Sequence, residues 1–491
     1  MAGNKKRIVK NYIFNTSYQL LAIIVPLVTT PYISRALGAE GNGIYSYTYS
    51  IVSYFVIFSI LGTATYGNKQ IGVLQDDPVA RSQKFMDILT FRIITSGSAL
   101  VLYIIYVALF AQNKGIALIQ ALYLLATLCD TAWFFQGMED FKRVAVRNYA
   151  IKLLNVAIVF IFIHNPDDLW IYVLMLAGLT LVGNLSIIPY LKKYLVSTKG
   201  YTPKPFNDFR VVLQLFIPAM ALQMYEMLDK TMIGVITGSA AQNGYYEQSN
   251  KIVKMALILV TALNTVLLTK SSKAFAENRV DEMEEYLYKS YRFVWFLGIP
   301  LMAGIIGIAR IFVPVFFGDG YLPVIQVLSI MSLLFIPIAL NSTTSTQFFI
   351  STGRQAVYTN CVLIGGAVNV AMNLLLIPHF KASGAGIASV AGEIVIMLCM
   401  LIYIARNNYF KVSKIFTMSG KYLVAGGIML AALLFASAKL PLKVWSLVLL
   451  IAGGAAVYFA VLLIEKESFV LSGISFALNF IRKKFGKKNG Q

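Results

Sequence analysis

Acidic residues are scarce. The 491-residue chain carries 22 Asp and Glu against 42 Lys and Arg, and charged residues of both signs make up only 13%. A soluble globular chain carries about 25%, so a water-facing globular surface is excluded. Histidine is nearly missing: only His164 and His379 occur, both at the ends of apolar segments. The three cysteines, Cys129, Cys361 and Cys399, each fall inside an apolar run. They offer no disulfide framework and no metal-ligand spacing, and are expected to pack as small apolar side chains. No Gly-x-x-x-x-Gly-Lys-Ser/Thr loop occurs, which argues against ATP hydrolysis within this chain.

What the chain has is apolar length. It is 58% hydrophobic, with a mean hydropathy of +0.70. Segments of membrane-spanning length recur at about 11–35, 43–66, 85–111, 115–137, 144–163, 168–191, 210–237, 243–268, 288–312, 321–350, 355–378, 384–405, 419–438 and 443–464. They predict an all-α polytopic membrane protein with about fourteen transmembrane helices. The start, MAGNKKRIVKNY, is basic, but the apolar run behind it is too long for a signal-peptide core and lacks a small-x-small exit, so no cleavable signal is expected.

Placing the N-terminus in the cytoplasm and alternating sides puts 31 of the 42 Lys and Arg on inner segments. Only Arg35, Lys114, Arg310, Lys381, Lys439 and Lys443 fall outside, and Arg92, Lys152, Lys230, Lys251 and Lys254 lie within helices. That bias is the positive-inside pattern. The net charge of +20 therefore reads as basic loops held inside, not as a nucleic-acid surface. Both termini are expected in the cytoplasm, and the short outer loops leave no room for a soluble domain.

The longest basic linker, LKKYLVSTKGYTPKPFNDFR, separates two halves. The expected organisation is an N-terminal six-helix lobe over 1–195, a basic cytoplasmic linker over 196–209, and a second six-helix lobe over 210–406. Two additional spans follow over 407–464, then an interfacial helix and basic tail over 465–491. The halves echo each other. NGIYSYTYSIV at 42–52 aligns with NGYYEQSNKIV at 243–253 at an offset of 201, and Phe134-Phe135 and Asn155-Val156 align with Phe348-Phe349 and Asn369-Val370 at 214. Both copies start on the same side, as in transporters whose parallel repeats surround a binding site.

The motifs PLVTTPYISRALGAEGNGIYSY near the start, WFFQGMEDFKRVAVRN at 133–148, Gln347 to Gly353-Arg354, and NLLLIPHFKASGAGIASVAGE at 373–393 resemble the oligosaccharide flippases of the Wzx type. Those belong to the multidrug/oligosaccharidyl-lipid/polysaccharide exporter superfamily, and the resemblance covers essentially the whole chain. It implies a MATE-like V of two pseudo-symmetric six-helix lobes plus two C-terminal helices, in a bacterial cytoplasmic membrane. It implies translocation of undecaprenyl-pyrophosphate-linked repeat units for capsule, exopolysaccharide or O-antigen. Alternating access would run on a proton or sodium gradient with no cofactor, and polysaccharide assembly proteins would be partners alongside membrane lipid.

Carrying an anionic headgroup across about 30 Å of hydrocarbon calls for cations in a wet cavity, so intrahelical Lys and Arg are the first candidates. Lys254 lies near mid-depth with no acidic residue at i−3 or i−4, which makes it the leading anion site. Lys251 and Lys230 sit four residues after Glu247 and Glu226, a spacing that also fits self-neutralised pairs within one helix. Arg92 and Lys152 are placed to bind or to snorkel to the inner interface. Glu226 is the leading coupling carboxylate, since burial at mid-depth brings a carboxyl toward neutral titration; Asp229, Glu247 and Glu393 share that role or a pairing role. Asp130 reads as a cap or as a partner for Arg147 or Lys152. Arg35, beside Glu40, is a gate or an exposed anchor. Tyr45, Tyr47, Tyr49 and Tyr54 suit sugar stacking or core packing, and the polar run 341–347 suits a wet cavity or interhelical hydrogen bonds. A membrane-embedded polysaccharide polymerase would need placed acids on a substantial outer loop. A multidrug exporter for organic cations would favour carboxylates over the five intrahelical cations.

Overall fold

The structure is a computed structural model. It describes the backbone of residues 2–471 and the side chains of residues 24–471, except 218, 219, 221, 222, 225, 226, 262, 263, 265 and 266. In chain order the helices are α1 (Ala2–Ile60), α2 (Thr63–Val73), α3 (Pro78–Phe110), α4 (Lys114–Cys129), α5 (Ala132–Gly137), α6 (Phe141–Phe162), α7 (Leu169–Ile187), α8 (Phe209–Thr237), α9 (Ala240–Ala276), α10 (Val280–Phe317), α11 (Val324–Ser332), α12 (Phe335–Thr344), α13 (Gln355–Arg406), α14 (Ser413–Thr417), α15 (Gly420–Lys439) and α16 (Val444–Ile464).

Among the described residues ten helices are long and apolar enough to cross a membrane. Two of them hold two expected spans each. α1 breaks at Gly38 (φ 66°), a left-handed position that costs glycine nothing, and α13 breaks at Lys381 (φ 52°). With α8 and α9, the fourteen expected segments are all helical. The protein is an all-α, multi-pass membrane protein.

Hydropathy smooths over local breaks: the second segment divides at Leu61-Gly62 (φ 43° and 74°), between α1 and α2. The fourth segment divides between α4 and α5, where the Asp130 carboxylate accepts from the Ala132 amide (3.0 Å) and so competes with the helix. The tenth divides before Pro337, whose missing N–H falls in the unsatisfied first turn of α12, and ends in a π-helical turn over Ser345–Ile350. The short α14 stands in the linker ahead of α15. Elsewhere the caps follow the sequence: Asp77 accepts from the amides of Val79 and Ala80, with Pro78 at the first helical position of α3.

The chain forms two compact units. One comprises 1–247 with 373–382, the other 248–372 with 383–491. In the first, aromatic and aliphatic clusters fill the spaces around α1, α3, α4 and α7, with Tyr103, Trp133, Phe134 and Val173 fully buried. The basic linker is anchored there: the Tyr201 hydroxyl and the Lys204 amide donate to Asp87 at 2.8 and 2.7 Å, and Lys84 pairs with Asp208 at 2.9 Å. In the second unit one large core joins α10, α13, α15 and α16. Past α16, the buried Glu467 accepts from Arg292 (2.6 Å), Tyr422 (2.9 Å) and the Val470 amide (2.8 Å). The expected interfacial helix and tail extend over 465–491, of which 472–491 lie outside the described residues.

Candidate functional site

The site begins with two glycines. A Cβ on Gly43 would strike the carbonyl of Ala240, and one on Gly244 would strike the carbonyl of Ala39. The contact is reciprocal, because Gly43 and Gly244, like Ala39 and Ala240, are related by the repeat offset of 201. The second half of α1 therefore meets the start of α9 backbone to backbone around a local pseudo-two-fold axis. Small residues at such crossings let helices approach within reach of dispersion and polar contacts. Near this axis the equivalent residues Ser46 and Glu247 meet each other: the hydroxyl donates to the carboxylate at 3.2 Å.

Glu247 also accepts from the Lys230 ammonium at 2.6 Å, across from α8 to α9. Lys230 and Glu247 are 7% and 8% exposed. This ion pair joins two helices, a partnership beyond the Glu226–Lys230 and Glu247–Lys251 pairs that sequence spacing suggests within single helices. The physical reason is packing: the hairpin turn after Gly238 (φ 61°) brings the end of α8 against the start of α9. The neighbouring Asp229 carboxylate is equally engaged. It accepts from the Tyr246 hydroxyl and from the Asn373 amide, both at 2.6 Å. Thr231 completes the row, with its hydroxyl 3.0 Å from those of Ser50 and Tyr54. Sequence reasoning named Asp229, Lys230 and Glu247 but missed Ser46, Tyr246 and Asn373. The offset of 201 carried the signal for Ser46.

Arg92 does not snorkel. It is 1% exposed and donates to the main-chain carbonyl of Asp130 at 2.5 Å, with the carboxylate at 3.4 Å. Asp130 therefore keeps the capping role and takes Arg92 as its partner in place of Arg147 or Lys152. Arg147 instead donates to Asn148 and Asn184. Lys152 and Lys251 are partly exposed, and Lys254 and Arg35 are exposed. The side chain of Glu226 lies outside the described residues. Tyr45, Tyr49, Tyr123 and Tyr172 pack in one chain of rings with centroids 5.3–5.5 Å apart, Tyr45 stacked on Tyr49 and the other two contacts edge-to-face.

In the second unit the polar run resolves into helix-to-helix hydrogen bonds. Asn264 donates to Ser342 (2.9 Å) and accepts from Thr343 (3.1 Å) and Gln347 (3.2 Å), and Gln347 exchanges bonds with Ser290. Glu393 accepts from Asn341 at 2.8 Å. Each unit also seats an arginine over a pair of aromatic rings. Arg143 lies over Phe135 and Tyr194 at 5.8 and 5.4 Å, and Arg354 lies over Phe348 and Tyr409 at 5.8 and 4.5 Å. Among the described residues no group of three or more His, Cys, Asp or Glu is arranged to hold a metal ion.

Comparison with known proteins gives this geometry a context. A protein of Escherichia coli (strain K12), named a putative O-antigen transporter, is 23% identical over 417 residues, covering 83% of this chain and 99% of the relative. A probable lipid II flippase MurJ of Rhizobium meliloti is 27% identical over 282 residues, 53% of this chain and 52% of that protein. Among solved structures, lipid II flippase MurJ in an inward closed conformation aligns with a TM-score of 0.71 at 12% identity, over 94% of this chain and 100% of that one. An inward-facing multidrug MATE transporter aligns with a TM-score of 0.60 at 13% identity, over 84% and 95%. At such identities these structures establish the fold, which is MATE-like. The sequence relatives are named as transporters or flippases and not as enzymes. The polysaccharide biosynthesis protein family matches residues 8–275, more than half of the chain, and the chain belongs to that family.

Proposed function

We propose that the protein is a flippase for lipid-linked oligosaccharides, carrying undecaprenyl-pyrophosphate-linked repeat units from the cytoplasmic to the outer leaflet for surface polysaccharide assembly. The observation that carries this reading is the sequence match over 99% of a relative named as a putative O-antigen transporter, to which the MATE-like fold adds support. Arg92, Lys152, Lys230, Lys251 and Lys254, which the sequence places inside its spans, support an anionic cargo over the organic cations of multidrug export. Lys254, with Lys251, takes the pyrophosphate; Lys230, Arg92 and Lys152 are supporting cations, of which Lys230 and Arg92 are tied to carboxylates in the state described. The six-helix lobes 1–195 and 210–406 rock in alternating access, driven by a proton or sodium gradient. Glu247 and Asp229 are the coupling carboxylates, because a change in the charge of either alters contacts that join α1, α8, α9 and α13. Both termini lie in the cytoplasm of a bacterial cell.

Lys254→Ala tests the assignment. Surface polysaccharide is expected to disappear while the variant still inserts at wild-type level, as read by membrane immunoblot and glycan gel. Normal polysaccharide at normal expression would remove Lys254 from the mechanism.

A further inference from the structure

α6 is the least enclosed of the candidate spans. Only 11% of its most apolar stretch is buried, against 22% or more for the other nine. It touches α7 closely at Gly183, where a Cβ would strike Ile151. From there a groove of about 840 Å³ opens to the ends of both helices, lined on one side by Lys142, Arg143, Val146 and Ala150 and on the other by Ile187 and Lys193, among others. Because α6 leads away from this side of the membrane and α7 returns to it, both walls lie at one headgroup level.

The charged end of the groove is built around one guanidinium. Arg143 lies 4.5 Å over the Tyr190 ring, and its Nε is 3.1 Å from the Asp140 carboxylate, which also accepts from Tyr194 at 2.8 Å. Stacking and pairing fix the plane of the guanidinium; its Nη1 is buried without a hydrogen-bond partner among the described residues, and about a fifth of the side chain is left open. Lys142 and Lys193 flank it, both exposed. Glu139 and Asp140 are the carboxylates of the groove; Asp140 is already engaged, and with Arg147 the four cations outnumber them. A planar guanidinium flanked by lysines is suited to phosphate oxygens. Val146, 52% exposed, Ala150 and Ile187 continue the groove as an apolar track. That pairing of cations with an apolar run favours a membrane lipid over a soluble anion.

We propose that this groove seats a membrane lipid, with the phosphate of its headgroup on Arg143, Lys142 and Lys193 and its chain along Val146 and Ala150. The site is separate from the transport residues assigned above and does not depend on that assignment.

The test is native mass spectrometry of the full-length protein released from detergent in the presence of phosphatidylglycerol, phosphatidylcholine or inorganic phosphate. Retention of phosphatidylglycerol is expected about tenfold above phosphatidylcholine. Lys142→Glu/Lys193→Glu should abolish the preference, Lys142→Arg/Lys193→Arg should keep it, and Ala150→Trp should lower lipid occupancy by filling the track. Equal retention of both lipids, a preference unmoved by the charge reversal or by Ala150→Trp, or full displacement by inorganic phosphate would overturn the proposal.

Discussion

The Lys230–Glu247 pair is the residue on which stability and the proposed coupling meet. Removing one partner of a buried ion pair leaves a charge without compensation and typically costs about 3–5 kcal/mol, whereas replacing both by apolar residues of similar size is often near neutral. Glu247→Ala is therefore expected to lower the melting temperature in detergent sharply, and Lys230→Met/Glu247→Leu to recover most of the loss. A double variant as unstable as the single one would mean that Ser46 and the surrounding dipoles, not the pair, hold the contact. The need for partners at Asp229, Lys230 and Glu247 was legible in the sequence; their identity was not, because helical spacing sees only neighbours on the same helix. Arg92 and Asp130 make the same point, being 38 residues apart in sequence. At the linker, Tyr201 gives a pH test. Burial first, then the bond to Asp87, pushes its phenol up to about 12 from an ordinary value of about 10. A raised folded-state value means the anchor contributes fully below about pH 10 and is lost as pH rises toward 12. The difference absorbance titration between wild type and Tyr201→Phe should show a single phenol with a midpoint near that upper value; a midpoint near 10 would place Tyr201 in solvent.

Helices and their crossings were readable to the extent that hydropathy and repetition encode them. The fourteen apolar segments are helical, and the offset of 201 marks a real crossing, since Gly43 and Gly244 bury their backbones against Ala240 and Ala39. Breaks inside the segments were not readable. Asp130, Pro337 and the π turn at Ser345–Ile350 each act over one turn, which a window of twenty residues averages away. The glycine crossing yields a prediction at this scale. Main-chain carbonyls cannot rotate aside as a flexible side chain does, so Gly43→Val or Gly244→Val should force α1 and α9 apart. Crosslinking of cysteines placed at Ala39 and Ala240 should fall several-fold in either variant, with expression retained. Unchanged crosslinking would show that the helices tolerate the side chain and that the close approach is incidental.

At the scale of the whole molecule, composition alone placed the protein in the membrane, and the motif resemblance to oligosaccharide flippases agrees with its membership of the polysaccharide biosynthesis protein family. The glycan was not legible, because neither the charges nor the tyrosine stack distinguishes one sugar sequence from another. The proposed function is vectorial: the protein would move a finished lipid-linked oligosaccharide between leaflets and leave its covalent structure unchanged. The most direct measurement is the amount and sidedness of that intermediate after deletion of the gene, read by extracting polyprenyl-linked glycans and probing their accessibility from outside the cytoplasmic membrane. The account predicts accumulation of complete repeat units confined to the cytoplasmic leaflet, reversed by the wild-type chain and not by Lys254→Ala. Complete units accessible at the outer leaflet in the deletion strain would contradict it.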